Sequence, residues 1–146
     1  MKRLSSLALA FIAVAALADA PKPPGMEDAQ VTQLGDAKWV APPVPGLPAG
    51  VMASPLAVDA ASGGSVGYAK IPAGTTFPMH FHSATELTLC ISGKGTLTVD
   101  GKPGPVTAGT YFVIPAKVHH KLECAAGADC ILFTRRTGKT DYNWVK

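Results

Sequence analysis

Charge is sparse in this chain of 146 residues: Asp, Glu, Lys and Arg together make up 16%, and aromatic residues only 7%. No basic cluster with interleaved aromatics occurs, which argues against a nucleic-acid surface. Arg135-Arg136 is an isolated basic pair and reads as a solvated strand end. No apolar run beyond residue 20 approaches the roughly 20 residues that a helix needs to span a bilayer. From residue 51 onward no window carries the 3.6-residue periodicity of an amphipathic helix. Cysteine is limited to three positions and histidine to four. Disorder throughout is excluded by a hydrophobic content of 47%.

Glycine and proline are plentiful, with 15 and 13 residues. That composition favours short strands and turns over long helices. Strand-like runs at Val51–Val58, Val66–Ile71, Glu86–Ser92, Thr96–Val99, Tyr111–Ile114, His119–Cys124 and Cys130–Thr134 are separated by Gly- or Pro-containing stretches. Asp141–Val145 reads as a closing strand. Asp100-Gly101 is a type I′ hairpin signal. The pattern is that of an all-β chain, an antiparallel sandwich or barrel.

The first residues read as an export signal. Lys2 and Arg3 precede an apolar run, and Ala16-Leu17-Ala18 is a small-x-small cleavage pattern. Residues 1–18 are therefore assigned as a signal peptide and the mature chain is expected in the periplasm or secreted, with no membrane attachment after cleavage. Without Lys2 and Arg3 the basic residues fall from 13 to 11 against 10 acidic, so the mature protein is close to neutral. Residues 19–50 form a Pro-rich arm, within which Lys38-Trp39-Val40 reads as a short edge strand. Residues 51–146 form the barrel. In an oxidising compartment disulfides persist, and Cys124 and Cys130 flank a five-residue hairpin-like loop where a bridge is feasible. Cys90 is then left unpaired, as a small buried hydrophobe.

The four histidines fall in two tight pairs, His80/His82 and His119/His120. Side chains at i and i+2 of a strand share a face, so His80 and His82 point the same way. Glu86 keeps that parity, and it is the only acidic residue between Asp59 and Asp100. A buried carboxylate without a partner is costly, and a metal ion would supply one. Two imidazoles and a carboxylate from this segment, with one more histidine, make a shell suited to Fe, Mn, Ni, Cu or Zn with open positions for water or substrate.

The stretch Gly74-Thr-Thr-Phe-Pro-Met-His80-Phe-His82-Ser-Ala-Thr-Glu86 through Gly93 resembles the first cupin motif, G-x5-H-x-H-x3-E-x6-G, at every defined position. Gly109 through Pro115, Lys117 and His120 resembles the second, G-x5-P-x-G-x2-H. Lys117 stands where that motif has glycine, and Cys124 where it ends in asparagine. The resemblance implies a cupin-type antiparallel β-barrel, or jelly roll (double-stranded β-helix). It also implies one divalent transition metal ion on His80, His82, Glu86 and His120. Should the Lys117 turn shift the register, His119 takes the place of His120. Metal affinity is expected to weaken below about pH 6.5, where imidazoles protonate.

Cupins host many chemistries, so the fold leaves the reaction open. The leading expectation is a metal-dependent enzyme with oxygenase-type chemistry on a small organic substrate, Glu86 serving as ligand and, if displaced, as base. The alternatives are a metal-dependent isomerase, decarboxylase or lyase, and a non-catalytic binder of a metal or small ligand. The resemblance further implies a homodimer and, because thiol-oxidising cupins lack this glutamate, chemistry other than thiol oxidation. Phe77, Phe81, Tyr111 and Phe112 are aromatic candidates for the core or for a pocket wall.

Overall fold

Residue 29 and residues 31–146 are described in the computed structural model of the chain. The expected signal peptide, residues 1–18, and the first part of the arm lie outside the described residues. Among the described residues the chain runs through ten strands: β1 (Met52–Val58), β2 (Ser65–Ile71), β3 (Thr76–Phe81), β4 (Glu86–Ser92), β5 (Lys94–Val99), β6 (Lys102–Thr107), β7 (Tyr111–Ile114), β8 (His120–Cys124), β9 (Cys130–Arg136) and β10 (Asn143–Trp144). They form two five-stranded sheets, in the orders β1-β2-β9-β4-β7 and β10-β3-β8-β5-β6, and the pairings between strands are antiparallel. The architecture is an all-β jelly roll. Its core lies between the sheets, where Ile71, Cys90, Val106, Ile114 and Leu132 are almost fully enclosed.

Local chemistry accounts for the connections. Asp100 and Gly101 have φ of 45° and 78°, and Val99 pairs with Lys102 across them. Two left-handed residues match the right-handed twist of the flanking strands. Gly93, between β4 and β5, has φ of 86°, and a Cβ there would meet the Asp129 carbonyl oxygen at 2.6 Å. The motif glycine is therefore required twice over, by conformation and by close approach.

Strand β6 escapes a reading from composition because Pro103 and Pro105 lie within it. It ends its sheet and pairs only with β5, a position in which missing amide donors cost little. The Lys38-Trp39-Val40 segment contributes one bridge, with Val40 and Ala53 exchanging both backbone bonds at 2.8 Å. Further along the arm, Leu47 packs on the core and the Pro45 carbonyl accepts the Trp144 indole N–H at 2.8 Å. Cys124 and Cys130 form a disulfide that ties the end of β8 to the start of β9. Cys90 is a free, buried thiol, which burial pushes up in pKa.

Candidate metal centre

The two sheets bring different chemistry to the barrel interior. Strands β3 and β8 set His80 directly opposite His120, with His82 just beyond the end of β3. Strands β4 and β9 set Glu86 directly opposite Arg136. The imidazoles of one sheet thus face an ion pair on the other, and all five side chains are buried.

Strand parity accounts for His80 and His82, both inward. It does not account for Phe77, which would face away from His80 on a regular strand. The β3–β8 register shifts between Phe77 and His80, and this bulge lets both point into the core. Phe77 then packs against the His80 ring at a centroid separation of 4.9 Å. Bulges re-aim side chains in this way.

The second histidine pair is resolved by the turn before β8. Lys117 adopts φ of 66°, the left-handed conformation for which the motif supplies glycine, and its amide donates to the His82 carbonyl at 2.8 Å. A lysine there costs roughly 1–2 kcal/mol of local strain, yet the register is kept. His120 is buried and His119 is exposed, its ring stacked on Phe81 at 5.4 Å. His119 takes no part in the cluster.

Each inward imidazole is held by a backbone carbonyl at Nδ1: His80 by Pro78 at 2.7 Å, His120 by Val118 at 3.0 Å, and His82 by Asp141. A neutral imidazole that donates from Nδ1 presents a bare lone pair at Nε2. His80, His82 and His120 offer ligand atoms within 4.8 Å of one another. Glu86 Oε2 stands 2.9 Å from His82 Nε2 and 3.9 Å from His120 Nε2. Ring nitrogens of the three imidazoles and a carboxylate oxygen crowd one point, an arrangement that a cation relieves. The donor set therefore fits one divalent transition ion.

Arg136 corrects the sequence reading, in which it was a solvated strand end. Arg135 is exposed, but Arg136 retains only 7% exposure. Its Nη2 lies 3.0 Å from Glu86 Oε2 and 3.1 Å from His82 Nε2. Glu86 is therefore not an unpartnered carboxylate. Thr88 donates to its Oε1 at 2.7 Å. Burial alone would raise the Glu86 pKa; the Arg136 charge and the His82 contact outweigh it and hold the carboxyl well below the usual range. In the histidines burial acts downward. It pushes His80 to about 3, with His120 adding to the shift, and it lowers His120. The signal for Arg136 was available in the period-two alternation of β9, which puts it in phase with buried Leu132.

The C-terminal segment also belongs to the site. The Asp141 carboxylate takes the amide and hydroxyl of Ser83 at 2.9 and 2.6 Å, which anchors the carbonyl that holds His82. The Tyr142 ring lies 5.1 Å from His82 and 5.7 Å from His80, and burial raises its phenol. A cavity of about 410 Å³, including its mouth, opens on His80, Glu86, His120, Arg136 and Tyr142. Its other walls are largely apolar: Ile71, Phe77, Leu97, Phe112, Leu122 and Leu132. Of the four aromatic candidates Phe77 and Phe112 reach this wall, whereas Tyr111 is 58% exposed.

A family model described as "Cupin domain" matches residues 67–134. No curated protein matches the chain in sequence. Among solved structures, the polyketide cyclase RemF from Streptomyces resistomycificus is similar with a TM-score of 0.67 at 18% identity, over 82% of this chain and 87% of that one. An RmlC-like cupin protein from Ralstonia eutropha gives 0.63 at 24% identity, over 76% and 69%. Salicylate 1,2-dioxygenase from Pseudaminobacter salicylatoxidans gives 0.54 at 19% identity, over 62% of this chain and 27% of that one. At these identities the likeness is one of fold.

Proposed function

We propose, for a chain that carries a cupin domain at residues 67–134, that it is an exported, metal-dependent enzyme with oxygenase-type chemistry on a small organic substrate. The observation that carries this reading is the convergence of three imidazole ring nitrogens and Glu86 Oε2, with every Nδ1 already committed to a carbonyl. His80, His82 and His120 would hold the ion, with Glu86 as a further ligand. When bound, the ion supplies Lewis acidity, redox capacity and open positions for substrate or dioxygen. The protein's part is to fix the imidazole tautomers through Pro78, Asp141 and Val118, to keep Glu86 ionised through Arg136, and to exclude bulk water behind apolar walls. Salicylate 1,2-dioxygenase, of whose chain 27% is matched, shares the fold, which is therefore one that can host dioxygenase chemistry. Export is supported by the signal-like residues 1–18 and by a disulfide, which persists in oxidising compartments. Oxygen uptake by the metal-loaded protein with small carboxylic and phenolic substrates tests the reading. Uptake coupled to product formation is expected; turnover with no oxygen consumed contradicts it.

A second reading rests on the Glu86–Arg136 pair. A carboxylate held by a guanidinium is a poor base, but displacement from Arg136 restores its basicity. Metal-assisted proton transfer, as an isomerase, lyase or cyclase requires, would use that change. The similarity to a polyketide cyclase favours this class among the alternatives. Product formed without oxygen is its signature.

A further inference from the structure

Arg136 does more than a counter-ion to Glu86 requires. Its guanidinium lines the cavity, its exposure is 7%, and its Nε has no hydrogen-bond partner among the described residues. A buried N–H left without an acceptor costs about 1–3 kcal/mol. Nη2 alone serves both Glu86 and His82. Around this head the cavity is oily, walled by Ile71, Leu97, Phe112 and Leu132. On one side the Tyr142 ring centroid lies 5.9 Å from the guanidinium carbon. On the same strand Thr134, the neighbour in phase with Arg136, also lines the cavity, its hydroxyl donating to the Gly67 carbonyl at 3.5 Å.

We infer that the barrel cavity takes a small organic carboxylate, with Arg136 as the residue that reads its anionic head. The inference rests on the proposed metal-dependent function and specifies its substrate class. The charges of the site favour an anion. Arg136 and Glu86 cancel, so a divalent ion on neutral histidines leaves the enclosed site with a net charge of two positive units. A neutral ligand leaves that charge uncompensated in a medium of low dielectric, whereas a carboxylate reduces it. Nη2 is committed to Glu86 and His82, so the guanidinium meets a ligand carboxylate through its remaining N–H donors, in charge-assisted bonds stronger than those to a neutral amide. The apolar walls select a ligand whose body is hydrocarbon.

Benzoate and butyrate, with benzamide and butyramide as neutral counterparts, are the probes. Their binding is read by calorimetry on wild-type and R136K protein, each with and without metal, and metal content is measured in the same samples. The lysine variant keeps a positive charge beside Glu86, and its metal content and thermal midpoint, measured in the same samples, separate a lost carboxylate contact from a lost metal or fold. Carboxylates are expected to bind metal-loaded wild type at least tenfold more tightly than their amides. R136K is expected to lose most of that preference. Equal binding of acid and amide, equal carboxylate affinity in wild type and R136K, or no carboxylate binding at all overturns the inference. If R136K does not fold, the preference of acid over amide in metal-free wild type, where no ion can attract or ligate the carboxylate, decides alone. Wild type that holds one metal per chain yet fails these tests leaves the metal reading intact, whereas wild type that takes up no metal overturns that reading separately.

Discussion

Glu86 and Arg136 are direct cross-strand partners on β4 and β9, with carboxylate and guanidinium 3.0 Å apart and both side chains buried. The pair lies beside the cluster of imidazoles and lines the cavity with His80 and His120. It keeps a carboxylate ionised in a place where burial alone would neutralise it.

The pair should be strongly coupled. Arg136→Met leaves Glu86 as a buried, unpaired charge and is expected to cost about 3–5 kcal/mol of stability in metal-free protein. Glu86→Gln combined with Arg136→Met removes both charges and should cost clearly less than the sum of the single changes. Urea melts of the four proteins measure this. Additive single effects would show that the two side chains do not depend on each other.

Acid should unfold the metal-free protein in a defined window. The His80 pKa is pushed from 6.5 to about 3 by burial and by His120, so its contribution is fully present above pH 6.5 and is lost as pH falls toward 3. The Glu86 carboxyl is also held below its ordinary 4.5, so its contribution is present above that value and lost on further acidification. Both act in one direction. A loss on the order of 3 kcal/mol between pH 6.5 and 3 is expected from His80. The same shifts weaken proton competition for the ion, so metal loss should set in below the pH 6.5 expected of unperturbed imidazoles. Stability that is flat across this range, or metal release centred at 6.5, would count against buried neutral histidines.

His119 and His120 should behave oppositely. His120→Ala removes an inward lone pair and is expected to reduce metal affinity by at least tenfold. His119→Ala removes an exposed ring stacked on Phe81 and should leave metal content unchanged. Elemental analysis of both variants decides, and the reverse result would mean that the turn at Lys117 shifts the register in solution.

Much of this arrangement was legible in the residues. Period-two spacing brought His80 and His82 to one face, and the Asp100-Gly101 turn marked a hairpin; Glu86, read as sharing that face, instead begins β4 in the opposite sheet and meets the histidines across the barrel interior. The Cys124–Cys130 bridge was open in the sequence and is formed in the structure. Three features were hidden. Strand β6 carries two prolines that only an edge position tolerates. The bulge between Phe77 and His80 follows from pairing with β8, a partner distant in the chain. Arg136 looked like a solvated end because its carboxylate partner lies 50 residues away in sequence, and only the sheet order places β4 beside β9. A single basic residue reads as surface until its cross-strand neighbour is known.

The central claim is a metal ion held by His80, His82 and His120 with Glu86. Elemental analysis of the protein, purified without chelator, tests it most directly. About one divalent transition ion per chain is expected, lost in a protein that carries His80→Ala and His120→Ala together. A wild-type chain that holds none, and takes up none when Fe, Mn, Ni, Cu or Zn is supplied, would contradict it.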